Sequence, residues 1–458
     1  MLIRSRRDFL KDTLRSVTAL GAVGSMAKFG EMNALAAPGG NYQALVCVFL
    51  LGGNDGHNTV IPISTAQQNY SAYQQNRGGL VIPQNALLPI ANGGDAYGLH
   101  PSLVEIQGLY NQGKAAVLAN VGMMVQPMSR AAYLANHNSA LVPSALFSHS
   151  DQSAQWQTGS PAGTRSSGWG GRITDLVQVQ NSAGIFPAVT ATSGCELFCT
   201  GVNTSPATVP PPYNGSSSPT GMATLGSLAP NTASGLQQLL QFSNGVQLVQ
   251  SANTVLTNGN NYANTLTKLL ASAPALNTVF PANNPLAAQL RTVANVMSVR
   301  GQLGLNRQIF FCVLDGFDTH SAQMATQTPL LQQLSQAVSA FYQATLELGI
   351  DGAVTTFTAS EFGRTLTPSG TDGSDHAWGN HHFIIGSNVS GGKFYGNFPL
   401  LAPGGPNDAG PRGVLLPTTA LDQYGATLAQ WFGVPAANLP TVFPNIGNFG
   451  SNNLGFLG

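Results

Sequence analysis

The sequence predicts an α/β fold: a mostly parallel sheet with helices on both faces and a helical insertion. Three observations carry this. Apolar runs of strand length are continuous rather than alternating, as in strands covered on both faces. Segments of helical spacing separate them. Strand, helix and strand follow in that order, which implies right-handed crossovers in an open sheet.

Taken in order, residues 1–36 read as an export leader. "SRRDFLK", from Ser5 to Lys11, has the form of a twin-arginine signal: two arginines, Phe9 and Leu10, then a lysine. The stretch that follows, "TALGAVGSMAKFG", is too short and too polar for a membrane anchor. "ALA" at Ala34–Ala36 is a small-x-small cleavage signal, so the mature chain is expected to begin near Ala37. A basic amphipathic N-terminal helix is the alternative. Residues 37–458 then form the α/β domain. "ALVCVFL" (44–50), "IFFCVLD" (309–315) and "GAVTTFTA" (352–359) read as buried parallel strands, with "AAVLANVG" (115–122) and "HHFIIG" (381–386) as a fourth and fifth. "HPSLVEIQGLYNQG" is helical and precedes the 115 strand. "TPLLQQLSQAVSAFYQATLELG" (328–349) is a long amphipathic helix ended by Gly349. Residues 201–308 differ. A Pro/Gly/Ser-rich loop leads into nearly uncharged helical spacing, which reads as a helical insertion or cap rather than a low-complexity linker.

Composition narrows the function. Charged residues make up 8% of the 458-residue chain, against roughly 25% in ordinary soluble domains. The leader holds six of the 18 Lys/Arg and three of the 18 Asp/Glu, leaving 12 basic and 15 acidic residues. No basic stripe is present to neutralise a phosphate backbone, which excludes nucleic-acid binding. No further segment has the length of a membrane span, so a product outside the inner membrane, periplasmic or secreted, is expected without stable membrane insertion. Cys47 and Cys312 lie in apolar runs and read as buried thiols. Cys195 and Cys199 sit in a loop-like stretch and read as a small disulfide, with a metal pair as the rival reading.

The charges that remain are concentrated. In open α/β sheets, ligands bind beyond the carboxyl ends of the strands. Asn54, Asp55 and His57 follow the first strand. Asp315, Asp318 and His320 follow the 309 strand, and Ser360, Glu361 and Arg364 the 352 strand. Asp372, Asp375, His376, His381 and His382 come next, in "DGSDHAWGNHHF". These places hold five of the eight histidines. Carboxylates and imidazoles converging on one point suit a divalent metal. Each also has a structural reading: Asp55 and Asp318 as turn or helix caps, Asp375 as a loop turn, Glu361 with Arg364 as an ion pair. In "LFSHSDQSAQWQTG" (146–159), Ser148 beside His149 is a nucleophile candidate or an ordinary N-cap. Ser129 with Arg130 is a rival.

Together, "FLLGGNDGHNTVIP", "LHPSLVEIQGLYNQGKAAVLANVG", "FSHSDQSAQWQTG", "GWGGRITD", "DGFDTH", "TASEFGRT" and "DHAWGNHHFIIG" resemble the bacterial domain-of-unknown-function 1501 family. That family is similar in fold to the alkaline phosphatase and sulfatase superfamily. The resemblance implies a metal-assisted hydrolase site at the strand ends. Asp55 falls where the superfamily has its first-strand metal aspartate, and Asp318 and His320 where it has an Asp and a His. Glu361 and Phe362 stand where an Asp-His pair is usual, so one histidine ligand is missing there. Asp375, His376 or His381 are the candidates to replace it. The usual nucleophile position shows no clear Thr, Ser or Cys.

The expectation is an exported, metal-dependent hydrolase of phosphate or sulfate esters, acting on a small-molecule or polysaccharide ester. Its metal set is Asp55, Asp318, His320, Asp375, His376 and His381, holding zinc, calcium or magnesium. Its catalytic set is Ser148, His149, Glu361 and Arg364. The alternative is a non-catalytic periplasmic or secreted binding or assembly protein that keeps the fold. The export machinery of the twin-arginine route is the partner the leader implies.

Overall fold

A computed structural model describes residues 42–163, 165–182, 186–193, 197–212, 220–222, 224–225, 228–242, 247–370 and 372–458. The leader and the Cys195–Cys199 pairing lie outside the described residues.

The described residues fold on a nine-stranded sheet. Its strands are β1 (Gln43–Leu51), β5 (Ala115–Gly122), β6 (Val189–Ala191), β7 (Ala207–Thr208), β8 (Arg307–Asp315), β9 (Val354–Ala359), β10 (Asn380–Ile385), β11 (Phe394–Tyr395) and β12 (Thr419–Ala420). They lie in the order β11-β5-β10-β9-β1-β8-β6-β7, with β12 also paired to β5. β1 is central and pairs in parallel with β8 from Gln43↔Arg307 to Leu51↔Asp315, and with β9 from Ala44↔Val354 to Phe49↔Ala359. The continuous apolar runs follow from this position. Ala44, Val46, Val48 and Leu50 feed one hydrophobic cluster, and Leu45, Cys47 and Phe49 feed the other. A strand with a core on each face has no polar side to show.

One strand departs from expectation. β10 runs antiparallel to both β5 and β9. Residues 360–379 leave β9 at its carboxyl end and re-enter the sheet at that same end, with no crossover helix to reverse the direction. The mouth of the sheet therefore carries this loop in addition to the βα turns. A separate three-stranded antiparallel sheet, β2 (Val60–Ser64), β4 (Asp95–Leu99) and β3 (Leu88–Asn92), flanks the mouth. Its short strands, one containing Pro62, were not evident from sequence.

The helices used below are α1 (Gly56–Thr59), α2 (Val104–Asn111), α3 (His149–Thr158), α4 (Trp169–Val177), α5 (Pro230–Gln241), α6 (Gln247–Ser272), α7 (Pro285–Ser298), α8 (Gln323–Glu347) and α9 (Leu421–Trp431). α2, α7 and α8 cover one face of the sheet, through Ile106, Leu290, Val293, Leu334 and Phe341 among others. α4 and α9 cover the other, through Trp169, Ile173, Tyr424 and Leu428. Within 201–308, α7 is thus part of the core. α5 has no buried residue and leaves Leu239 and the following Phe242 exposed.

α8 begins five residues before the expected start at Thr328, with Pro329 inside it. Proline normally sits in the first turn because it cannot donate a backbone hydrogen bond. Here tertiary contacts hold the extra residues. Gln323 donates to the carboxylate of Asp55, and Gln327 donates to Asn54 Oδ1 at 3.1 Å and to the Asp55 carbonyl at 3.0 Å.

Several histidines are structural. Burial pushes the pKa of His57 and of His100 down to about 4, and that of His382 to about 3. An unfolded chain protonates these rings near the ordinary value of 6.5, while the folded protein keeps them neutral. Their contribution is therefore intact above about pH 6.5 and is lost as pH falls from there towards 4. The urea midpoint is expected to drop steadily from pH 7 to pH 4.5. A midpoint flat across that window would contradict this assignment.

Candidate metal centre

Three loops interlock at the carboxyl ends of β1, β8 and β9. Gly52 and Gly53 follow β1 with φ of 116° and 82°, a region that glycine reaches without strain. A Cβ on Gly52 would lie 2.3 Å from the backbone nitrogen of Asp318, so no side chain fits between these loops. The Gly52 N–H donates to Glu361 Oε1 at 2.7 Å. Arg364 is fully buried below. Its Nε donates to the Gly53 carbonyl at 2.8 Å, Nη1 to the Ser374 carbonyl at 2.6 Å, and Nη2 to the Gly52 carbonyl and to Asp318 Oδ1, both at 2.6 Å.

Above this clamp stands a half-open cluster. His149 Nε2 lies 3.4 Å from Asp318 Oδ2. His320 Nε2 and His376 Nε2 lie 3.2 Å and 3.5 Å from Asp318 Oδ1, and 2.8 Å from each other. Among the described residues, His149, Asp318 and His376 form a group that could hold a metal ion, one donor atom of each lying within 4.8 Å of the others. The Asp318 side chain is 49% exposed and that of Glu361 is 0% exposed, so the opening is on the Asp318 side. Phe362 stacks on His376 at 4.5 Å and backs the centre with an apolar wall.

Electrostatics favour a charged carboxylate and a neutral ligand nitrogen. Burial works to raise the Asp318 pKa, but the hydrogen bond and charge of Arg364, with His149 and His320, outweigh it and hold the carboxyl below its ordinary value. Burial pulls His376 down, and the nearby His149, Arg364 and His320 add to this against the hydrogen bond to the Phe147 carbonyl. His149 is raised, chiefly by its hydrogen bond to Glu361. An ion would compete with a proton for that ring.

The structure divides the sequence-predicted residues. It gathers His149, Asp318, His320 and His376 around one opening. Glu361 lies directly behind His149. Asp375 lies behind His320 at 3.3 Å, and it pairs with Arg412. Arg364 is beneath Asp318. Ser148 is the N-cap residue of α3, and its Oγ donates to Asp151 Oδ2 at 2.5 Å. Three expected ligands are thus outside the cluster: Asp375 stands behind His320, and Asp55 and His381 lie elsewhere. Asp55 is wholly buried, paired with Arg77 and bound by Gln323, and it caps α1 by accepting from the His57 N–H at 2.9 Å. A buried guanidinium stripped of its counter-charge is costly, and Asp55 supplies that charge to Arg77. His381 is buried at the start of β10, an interior strand between β5 and β9. Its Nδ1 accepts from the Asn120 N–H at 3.1 Å, and its ring stacks on Phe398.

Sequence reasoning placed His149 beside a nucleophile rather than among ligands. It missed Arg77, Gln323, Arg412 and the Phe147 carbonyl. Phe147 has φ of 75° and Ala145 of 48°, both unusual for residues with a side chain. Such strain collects at sites where the surroundings enforce it. Only its nearness to His149 in the chain could have drawn notice to Phe147.

These features define an α/β protein with an Asp/His centre at the strand ends. The chain belongs to the family described as "Protein of unknown function (DUF1501)", which matches residues 42–408. Comparison with curated proteins finds no match. Among solved structures it is similar to Ps i-CgsB in complex with k-i-k-neocarrahexaose, at 10% identity and a TM-score of 0.37, covering 88% of this chain and 77% of that one. It is similar to the PsFucS1 sulfatase from Pseudoalteromonas sp., at 9% identity and a TM-score of 0.35, covering 86% and 68%. It is also similar to the alkaline phosphatase of the Antarctic bacterium TAB5, at 9% identity and a TM-score of 0.27, covering 76% and 92%. All three likenesses are distant, and the reading of the site rests on its own geometry. No helix among the described residues is long and apolar enough to cross a membrane.

The split between Asp55 and the cluster has a direct test. Asp55→Ala strands the buried Arg77 and is expected to cost about 3–5 kcal/mol of stability. Protein of this variant that remains folded should keep its full metal content. Loss of metal at undiminished stability would show that Asp55 is a ligand after all.

Proposed function

We propose that this protein is an exported, metal-dependent hydrolase of phosphate or sulfate esters. The observation that supports this most is the gathering of His149, Asp318 and His376 within 4.8 Å at an open strand-end site. These three residues would hold the ion, and imidazole and carboxylate are donors that suit a divalent metal. Once bound, the metal would polarise a phosphoryl or sulfuryl oxygen and favour attack on the ester.

The chain's own residues set the geometry. Glu361 holds His149 Nδ1 at 3.1 Å, so that Nε2 faces the centre. The Phe147 carbonyl holds His376 Nδ1 at 2.6 Å with the same effect. Arg364 fixes the Asp318 carboxylate and offsets part of its charge. Ser148, next to His149 in the chain, is the candidate nucleophile, and Asp151 stands ready to accept its proton. The exposed side of Asp318 is where a small-molecule or polysaccharide ester would approach the centre. Export by the twin-arginine route, to the periplasm or beyond, rests on "SRRDFLK".

One observation favours the second reading, a non-catalytic periplasmic or secreted binding or assembly protein. The Ser148 hydroxyl makes its contacts with Asp151 and Ser150, and with no member of the cluster.

Purified processed protein is expected to hydrolyse a sulfate or phosphate ester in a substrate screen. Ser148→Ala should lower kcat by about 100-fold or more with metal content unchanged. Stoichiometric metal without turnover in either ester class would overturn the hydrolase and leave the binding protein.

A further inference from the structure

We infer that the centre takes a nitrogen-preferring transition-metal ion of the zinc class, held by three imidazoles and one carboxylate, with His320 as the fourth donor. This deepens the proposed function and rests on its placing of an ion between His149, Asp318 and His376.

The first observation is spacing. Donors about 2.0–2.2 Å from a tetrahedral ion stand about 3.3–3.6 Å from one another. Asp318 Oδ1 stands 3.2 Å from His320 Nε2 and 3.5 Å from His376 Nε2, and its Oδ2 stands 3.4 Å from His149 Nε2, so the carboxylate meets the three rings at this spacing through its two oxygens. His320 Nε2 and His376 Nε2 approach to 2.8 Å, a short edge of the same figure. His320 thus approaches two of the three members, Asp318 and His376, at the distances a shared ion would require.

The second observation is what stands behind the rings. Each of the three histidines has its Nδ1 against an oxygen: His149 against Glu361 at 3.1 Å, His320 against Asp375 at 3.3 Å, His376 against the Phe147 carbonyl at 2.6 Å. Each ring therefore turns its Nε2 to the common centre. Metal-binding histidines are held in this way, because the outer hydrogen bond fixes both tautomer and orientation. Three rings from three separate segments share the arrangement, which packing alone does not require.

The third observation is the shortage of oxygen. Calcium takes six to eight oxygen ligands, and magnesium an octahedron of them. Among the described residues, one carboxylate, Asp318, is in the group that faces the centre. Glu361 is committed to Gly52 and His149, Asp375 to Arg412 and His320, and Asp55 to Arg77 and Gln323. A set of three nitrogens and one oxygen suits zinc and the first-row ions that share its affinity for imidazole.

The test uses the whole processed protein, stripped with a chelator and reloaded with zinc, cobalt(II), calcium or magnesium. Elemental analysis after desalting should find one zinc or cobalt per chain, retained against excess calcium and magnesium. The cobalt form should show the strong visible absorption of a four-coordinate ion. Asp375→Asn, which leaves His320 in place but weakens its anchor, should reduce zinc affinity about 10-fold. His320→Ala should reduce it further and weaken the cobalt band, while His137→Ala, on an exposed ring, changes neither. If His320→Ala fails to fold by circular dichroism, Asp375→Asn decides. Preferential retention of calcium or magnesium, or zinc affinity and cobalt absorption unmoved by both site variants, would overturn the inference. Zinc bound in this way without ester turnover supports the inference and removes the hydrolase. Turnover sustained by calcium or magnesium alone does the reverse.

Discussion

The buried guanidinium of Arg364 is the interaction on which the rest of the site depends. Two segments arrive at the mouth of the sheet with three carbonyls pointing into space that water does not reach: Gly52 and Gly53 from one, Ser374 from the other. Each would cost about 1–3 kcal/mol if left unpaired. One side chain satisfies all three and ends on Asp318. The charge brought into the interior is matched by that carboxylate, so the same contact that closes the fold also aims the acid of the cluster. The glycines complete the constraint, since a Cβ at Gly52 would strike the backbone of the Asp318 loop.

Similar residue types serve two purposes at this end of the sheet, and burial separates them. In the inner layer, Asp55, Arg77 and Gln323 tie α1, the turn before Leu80 and the start of α8 into one block. In the outer layer, Asp318, His149, His320 and His376 are partly open and have their outer atoms anchored. A third carboxylate supports the outer layer from further off. Asp408 accepts from the N–H groups of Gly404, Gly410, Gly413 and Val414, at 2.7 to 2.9 Å. The loop shaped in this way presents Arg412 to Asp375, and Asp375 in turn faces His320.

Much of the frame was legible in the sequence, because burial on both faces leaves a plain trace. β1, β8 and β9 show it as unbroken apolar runs. The direction of β10 was not legible, since an apolar run reads alike in either sense; the route of residues 360–379 decides it. The early start of α8 was hidden because local rules place Pro329 in a first turn, and glutamine contacts across the chain overrule them. At the site, the clustering of Asp and His past the strands identified Asp318, His320 and His376 as neighbours. It could not sort Asp55 from them, because the decisive fact is the burial of Arg77, which in "QQNRGG" looks like any surface arginine. His149 was noticed for the serine beside it. Its approach to Asp318 belongs to the path of the chain into α3, and no spacing in the sequence records that.

The most direct measurement is a crystal structure of the metal-loaded protein with anomalous scattering recorded at the edge of the added ion. The account predicts a single anomalous peak among His149 Nε2, His376 Nε2 and the carboxylate of Asp318, with Asp55 still on Arg77. A peak on Asp55, or crystals soaked in metal that show none at the cluster, would contradict it.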